Sequence, residues 1–189
     1  MTGRLRPHVL GIDDAPFDKR QAHAVPLVAV LMEGNDLVEG VATTAFPVDG
    51  ADATAFLADW IDGLPWRRSI QAIVLGGITI AGLGLVDIQA LAQRIGIPVL
   101  AVTRRHTAES RLGVALEAAG LRERLAIANR AGDTARVRPG LHVAFAGAPQ
   151  ARAIALVEAT LRKSRMPEPL RLAHLIAAAI VRGSSRARV

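Results

Sequence analysis

The sequence predicts an α/β fold in which three antiparallel strands are followed by parallel β-α units, with helices flanking one mixed sheet. Apolar, β-branched runs separated by short turn signals fill the first 46 residues and indicate a strand meander. Beyond residue 50, apolar runs alternate with segments of three- and four-residue periodicity, which is typical of parallel strands joined by helices. No linker or repeat divides the 189 residues, so we expect one domain spanning residues 1–189.

The meander has three predicted strands. The first covers residues 8–13 and ends in the acidic sequence Asp13-Asp14. The second covers residues 25–32 and stops at a four-residue turn signal, after which residues 37–46 resume a strand rich in Val, Thr and Phe. A helix follows, with Asp52 in or just before its first turn, where a carboxylate can cap free backbone amides.

Strands and helices alternate in the rest of the chain. We expect strands at 70–75, 97–102 and 141–146, a glycine-rich loop at 76–84, and helices at 87–95, 107–119, 121–129, 150–163 and 170–182. Residues 183–189 are expected to form a flexible tail. This element order is found in ribonuclease H-like folds, although other α/β topologies share it.

Composition limits the function classes. The formal net charge of +6 and the pI near 11.2 favour anionic partners such as phosphates. The chain has no cysteine, so any metal must bind oxygen or imidazole. No stretch reaches the about 18 apolar residues of a membrane span and no signal core is present, so we expect a cytoplasmic protein without membrane contact. The apolar closing helix would suit a homodimer interface.

Two adjacent carboxylates, Asp13 and Asp14, close the first strand. One interpretation is a ligand for a hard cation such as Mg²⁺, which keeps several waters and needs few protein oxygens. The other is an Asx-type turn before Ala15-Pro16. In a regular strand, only one of the two side chains can point into a given site.

The glycine-rich loop lies at the end of a predicted parallel strand, where open α/β sheets usually bind ligands. Its glycines allow backbone amides to approach an anion closely, which makes Gly76, Gly77 and Thr79 candidates for substrate binding. It matches neither a P-loop nor a convincing dinucleotide fingerprint. The alternative is a tight apolar connection with Asp87 as an ordinary helix N-cap.

Other candidates lie later in the chain. Arg104 and Arg105 follow a predicted parallel strand, where a basic pair can meet a phosphate. His174 lies in a helix that is apolar nearly all round, so it is either a core or interface residue or a ligand. Glu168 precedes it by six residues, a spacing at which the two converge only if Glu168 is extended before Pro169.

Seven short motifs occur in order along the chain: Gly11-Ile12-Asp13-Asp14-Ala15-Pro16-Phe17, Val48-Asp49-Gly50-Ala51-Asp52-Ala53-Thr54, Gly77-Ile78-Thr79-Ile80-Ala81-Gly82, Val86-Asp87-Ile88, Gly96-Ile97-Pro98-Val99, Pro167-Glu168-Pro169-Leu170-Arg171-Leu172-Ala173-His174 and Gly183-Ser184-Ser185. Together they resemble the endonuclease dU family, which is placed beside endonuclease V. The resemblance covers almost the whole chain. It implies a ribonuclease H-like fold and nicking of DNA at deaminated bases, deoxyuridine in particular, with Mg²⁺ or Mn²⁺.

The resemblance also implies roles for particular residues. Asp13 matches the first-strand carboxylate that binds metal in endonuclease V-like enzymes, and Asp49 or Asp52 is available for a second carboxylate. We take Asp13 and Asp52 as the metal ligands. His174 matches the late position, with Glu168 beside it. Asp87 and His174 would assist in proton transfer or positioning.

Two departures from the family pattern stand out. The fourth strand ends in Leu75-Gly76-Gly77, where a third carboxylate is usual, and Asp87 is the nearest acid. The chain also has no tyrosine for the loop that endonuclease V inserts into the duplex, so Phe46 and Pro47 are the candidates for an apolar wedge.

Three functions remain open at this point. The first is a metal-dependent DNA endonuclease acting at deaminated bases. The second is a non-catalytic nucleic-acid-binding protein that keeps the fold without a complete metal site. The third is a binder of a nucleotide or phosphate ligand through the loop at 76–84.

Overall fold

The computed structural model describes residues 5–103, 109–132 and 134–186. Its strands are β1 His8–Asp14, β2 Ala24–Glu33, β3 Leu37–Pro47, β4 Ala72–Leu75, β5 Thr79–Ile80, β6 Gly84–Leu85, β7 Val99–Thr103, β8 Ala135–Arg138 and β9 Leu141–Ala146. Its α-helices are α1 Ala53–Asp62, α2 Ile88–Ile95, α3 Glu109–Ala118, α4 Leu125–Arg130, α5 Gln150–Thr160 and α6 Glu168–Arg182. No helix in these ranges is long and apolar enough to cross a membrane.

Seven strands form one mixed sheet in the order β3-β2-β1-β4-β7-β9-β8. The first three strands pair antiparallel, whereas β4 pairs parallel with β1 on one side and with β7 on the other. Strand β9 then pairs antiparallel with β7. The α/β architecture predicted from the sequence, with an antiparallel meander followed by parallel β-α units, is therefore confirmed.

Two apolar layers cover the sheet. On one side, Leu57 of α1 and Leu91 of α2 pack in the same cluster as Leu10 and Ile12 of β1. On the other, Leu156 of α5 and Leu170 of α6 share a cluster with Val9, Val74 and Leu100. Successive residues of β1 alternate between the two clusters because neighbouring strand side chains point to opposite faces.

Helix α6 lies directly on the neighbouring strands β1 and β2. This contact depends on Gly11, because a Cβ atom there would overlap the backbone of Pro169 and Leu170. Glycine at this position thus lets the start of α6 approach the strand closely. The helix then runs past the end of β1 that carries Asp13.

Several local predictions need correction. The glycine-rich loop contains the small β5–β6 hairpin, and the edge strand β8 was missed. The helix expected at 121–129 begins as a 3-10 turn at Arg122–Arg124, and α4 starts at Leu125. Helix α6 begins at Glu168, two residues earlier than predicted, so the condition for convergence of Glu168 with His174, an extended Glu168, is not met.

Candidate active site

The end of β1 meets α6 through one side-chain pair. His174 Nδ1 lies 2.7 Å from Asp13 Oδ2. The Asp13 side chain is 17% exposed, and the His174 side chain is 55% exposed. The pair therefore combines a largely buried carboxylate with an imidazole that solvent or a substrate can reach.

Burial is the largest influence on Asp13. Loss of solvation, together with the nearby charge of Asp14, raises the pKa of Asp13 to about 6, although His174 opposes the shift through its charge and its hydrogen bond. Carboxyls with raised pKa values in a cleft are candidates for proton transfer or ion binding. Asp13 is thus the most electrostatically perturbed carboxylate of this site.

The other oxygen of Asp13 faces β4. A Cβ atom at Gly76 would lie 3.3 Å from Asp13 Oδ1 and 3.9 Å from Leu170 Cδ1. Glycine therefore leaves the space beside Oδ1 open, where any side chain would crowd it. This position follows Leu75, whose strand pairs with β1, so the geometry comes directly from the parallel register.

Asp14 has a different partner. Its Oδ2 accepts a hydrogen bond of 2.8 Å from the backbone N–H of Ala81, which has a positive φ of 46° at the tip of the β5–β6 hairpin. Burial raises the pKa of Asp14, and this hydrogen bond opposes the rise. Asp14 therefore attaches the hairpin to the end of β1, while Asp13 faces α6.

Asp49 is held by neighbouring groups. Its Oδ1 accepts hydrogen bonds from Lys19 Nζ at 2.9 Å and from the backbone N–H of Leu83 at 2.7 Å. Arg124 Nη1 donates to the backbone oxygens of Asp49, Gly50 and Leu83, at 2.9, 3.1 and 2.6 Å. We call this set of contacts the Arg124 clamp. It joins the turn after β3 to the β5–β6 hairpin.

Asp52 occupies the N-cap position of α1 but makes no side-chain capping bond, and its φ of 56° is left-handed. The capping role expected for its carboxylate is therefore wrong. The residue is exposed and lines a small recess with Arg124 and Ile127. Within the residues described, Asp52 makes no hydrogen bond or ion pair with Asp13 or His174, and its role as a metal ligand stays a prediction.

Asp87 caps helix α2, as the simpler interpretation of the sequence predicted. It accepts hydrogen bonds from the N–H groups of Gln89 and Ala90 and pairs with Arg130 Nε at 2.6 Å. Burial alone would raise the pKa of Asp87, but Arg130 and the two amides together hold it below its ordinary value. The Asp87 carboxylate therefore binds the start of α2 and Arg130, and these contacts do not involve Asp13.

Glu168 is also engaged. It is 4% exposed at the first turn of α6, and its Oε2 accepts hydrogen bonds from Arg171 Nη2 at 2.6 Å and Nε at 2.9 Å. The sequence placed Glu168 beside His174, but its ion pair is with Arg171. A structural role at the start of α6 accounts for this geometry.

The predicted wedge requires a correction. Phe46 is 2% exposed, and its ring centroid lies 4.9 Å from that of Phe56 in the core. A side chain packed in this way cannot enter a duplex, so its assignment as a wedge is wrong, whereas Pro47 is exposed. Arg104 and Arg105 lie outside the described residues.

A cavity of about 260 Å³ opens beside the carboxyl ends of β4 and β7. Gly77, Thr79 and Ala101 line one side, and Leu125 and Asn129 of α4 line another. Its lining also includes Thr134, whose Oγ1 is buried without a hydrogen-bond partner among the residues described. The cavity is mainly apolar with a few polar groups, which is typical of small-ligand or base pockets.

Sequence reasoning missed a second polar group at the opposite end of β1. Ligand atoms of His8, Glu33 and Glu39 lie within 4.8 Å of one another, and they form the one three-ligand group found in the described part of the chain. Glu33 Oε1 is also 3.0 Å from Arg6 Nε. These residues come from three neighbouring strands, so only the strand register, which the sequence leaves open, brings them together.

The seven-stranded mixed sheet with its flanking helices defines an α/β protein with an endonuclease V-like fold. The chain belongs to the endonuclease dU family, whose model matches residues 6–181. A UPF0215 protein of Methanothermobacter thermautotrophicus is 37% identical over 182 residues, covering 94% of this chain and 89% of the relative. Another, from Archaeoglobus fulgidus, is 38% identical over 182 residues, covering 95% and 96%.

Two solved structures support the same fold. A protein of unknown function from Archaeoglobus fulgidus has a TM-score of 0.84 and 36% identity, covering 94% of this chain and 100% of that one. Endonuclease V of Ciona intestinalis, solved with an inosine-containing DNA, has a TM-score of 0.59 and 13% identity, covering 89% and 82%. The second likeness concerns the fold alone.

Proposed function

We propose that this protein is a metal-dependent endonuclease that nicks DNA at deaminated bases, with deoxyuridine favoured. The observation that carries the proposal is the Asp13–His174 pair, which lies at the end of β1 beside the open space left by Gly76. Membership of the endonuclease dU family supports this choice of reaction. The Ciona relative was solved with a deaminated base in DNA, which makes such DNA the first substrate to test.

The residues at this site fit a divalent ion. Asp13 offers an oxygen on the side of Gly76, and the charge of the neighbouring Asp14 carboxylate adds to the electrostatic cost of ionising Asp13. A bound cation relieves that cost, and Mg²⁺ or Mn²⁺ needs only one or two carboxylates because it keeps several waters. When bound, such an ion supplies an activated water and neutralises charge on the phosphate.

The side chains themselves have separate tasks. Asp13 holds the imidazole through Nδ1, which leaves Nε2 of the exposed ring to exchange a proton with water or with the leaving oxygen. The cavity beside Gly77 and Thr79 would receive a base turned out of the duplex, a step that costs least for a poorly paired base. Exposed Pro47 remains available as part of a wedge.

A second candidate is a nucleic-acid-binding protein without catalysis. This second candidate is favoured because two other acidic side chains singled out by the sequence are already paired with cations. Asp49 pairs with Lys19, and Asp87 pairs with Arg130. On this hypothesis the protein binds DNA in a salt-sensitive way but cleaves none.

One experiment separates the two candidates. Labelled duplexes with a single deoxyuridine, deoxyinosine or normal base are incubated with protein and Mg²⁺, Mn²⁺ or EDTA. We expect metal- and lesion-dependent nicking by the native chain and by the controls Asp18→Ala and His23→Ala, which change exposed residues of the same types. Asp13→Ala should abolish nicking; native-like nicking by this variant, or tight binding without nicking by the native chain, would overturn the proposal.

A further inference from the structure

Positive charge is concentrated in one part of the chain. Residues 134–167 contain six basic residues and one acidic residue, a net of +5, whereas the whole protein carries +6. The remaining 155 residues are therefore close to neutral. Such segregation indicates a surface that meets an anionic partner rather than a general need for solubility.

The elements that carry these charges are neighbours in the fold, because α5 packs against β8 and the loop at 161–167 follows α5 directly. We define the basic surface by six side chains, all of which belong to exposed residues: Arg136, Arg138, Arg152, Arg162, Lys163 and Arg165. Arg138 Nε lies 3.8 Å from Glu158 Oε1, so the edge strand β8 is tied to α5. Arg165 lies against the β8–β9 turn, because a Cβ atom at Gly140 would be 2.9 Å from its Nη1.

Most of this charge is not neutralised within the protein. The side chains of Arg152, Arg162 and Lys163 make no hydrogen bond or ion pair within residues 5–103, 109–132 and 134–186, and the Glu158 carboxylate pairs with Arg138. Elsewhere, exposed cations such as Arg6 and Arg94 do have carboxylate partners. Unpaired cations on adjacent elements offer the contacts that phosphates require.

The basic surface is connected in sequence to α6, the helix that carries His174 of the candidate active site. Helix α5 and the first turns of α6 share one apolar cluster on the same side of the sheet, through Leu156 and Leu170. The loop at 161–167, with three of the six cations, leads directly into α6, which carries His174. A long anion held on this surface would therefore lie on the face of the sheet that α6 covers.

We infer that the basic surface is a docking site for the phosphate backbone of duplex DNA, outside the pair that would perform cleavage. The inference rests on the proposed function for the identity of the nucleic acid. Duplex is favoured over single strands because stacking on aromatic rings is the usual mode of single-strand binding. The one aromatic residue in 134–167 is Phe145, which packs against the core cluster.

The test measures binding without cleavage. Affinity for an undamaged duplex is measured by fluorescence anisotropy in EDTA across a series of salt concentrations. The variant Arg152→Ala/Lys163→Ala/Arg162→Ala is compared with the control Arg20→Ala/Arg68→Ala/Arg122→Ala, which removes three exposed cations from other surfaces. Each triple variant lowers the formal net charge from +6 to +3.

We expect the slope of log K against log salt to fall by about 2–3 in the basic-surface variant, since each phosphate contact contributes about 0.9. The control should change the slope by less than about 1, and both should melt near the native temperature. An equal decrease of the slope in the two variants would overturn the inference. Stronger binding of single-stranded DNA or duplex RNA than of duplex DNA would also overturn it. The assay measures binding and no nicking, so the comparison of DNA affinities can still be interpreted if the proposed reaction does not occur.

Discussion

Asp13 and His174 are 161 positions apart in the sequence, and a hydrogen bond of 2.7 Å joins their side chains at the end of β1. The contact leaves the imidazole more than half exposed, while the carboxylate is mostly buried. The hydrogen bond thereby fixes the orientation of an exposed imidazole through a partner that is itself largely buried.

Replacing His174 should separate orientation from proton transfer. His174→Asn retains a side-chain N–H that can donate to Asp13 but has no titratable ring. We expect nicking of deoxyuridine duplexes to fall by about 10²–10⁴, the usual contribution of general acid–base catalysis, with the melting temperature little changed. Single-turnover assays at saturating metal measure the effect, and a variant with native rates would remove His174 from the reaction.

Charge removal at Asp13 should stabilise the metal-free protein at neutral pH. The pKa of Asp13 is raised from 3.8 to about 6, so between these values the folded state binds more protons than the unfolded state, and stability falls as pH rises through this window. Asp13→Asn should therefore raise the free energy of unfolding by on the order of 1–3 kcal/mol at pH 7.5, and by little at pH 4.

Urea unfolding in EDTA at the two pH values checks this prediction. Asp18→Asn is the control, since Asp18 is exposed. A gain that is equal at both pH values would show that the cause is packing and that the ionisation of Asp13 is not responsible.

Gly76 should matter for activity more than for folding. A Cβ atom there meets Asp13 Oδ1 at 3.3 Å, so Gly76→Ala should displace the carboxylate by a few tenths of an ångström and close the space beside it. We expect nicking to drop at least tenfold, because small errors in positioning reduce rates strongly. Gly63→Ala, at a helix end with a negative φ, should keep native activity and provides the matched comparison.

Much of the fold could be predicted because each central strand carries its own signal. The apolar runs of β1, β2 and β4 and the turn signal after β2 are local features, whereas the order of the strands in the sheet was not predicted. Strand β8 was missed because Ala135–Arg138 is short and places Arg136 and Arg138 in solvent at the sheet edge. Its apolar residues, Ala135 and Val137, do alternate with the two arginines, but a run of only four residues is too short to predict a strand by itself.

The candidate site was less predictable because it depends on contacts between distant segments. Family motifs singled out Asp13 and His174, but their hydrogen bond follows from the close approach of α6 that Gly11 allows. Strand alternation could have corrected the wedge prediction, since Phe46 pairs with buried Val25 and packs in the core beside Phe56. The contacts that engage Asp49 and Asp87 involve Lys19, Arg124 and Arg130, and no spacing in the sequence specifies them.

The Arg124 clamp should account for a measurable part of stability. The Arg124 side chain is 12% exposed, and its Nη1 is within 3.1 Å of three backbone oxygens from two loops. Removing it leaves these acceptors without their donor, so Arg124→Ala should lower the free energy of unfolding by about 1–3 kcal/mol. Neighbouring Arg122, whose side chain is 80% exposed, should tolerate alanine with a change in the free energy of unfolding within about 0.5 kcal/mol.

Thermal unfolding of the two variants gives the comparison. Faster hydrogen exchange at the amide of Leu83 in Arg124→Ala alone would locate the loss of stability in the hairpin that the clamp holds. Equal melting temperatures for both variants would mean that water replaces the guanidinium at no cost.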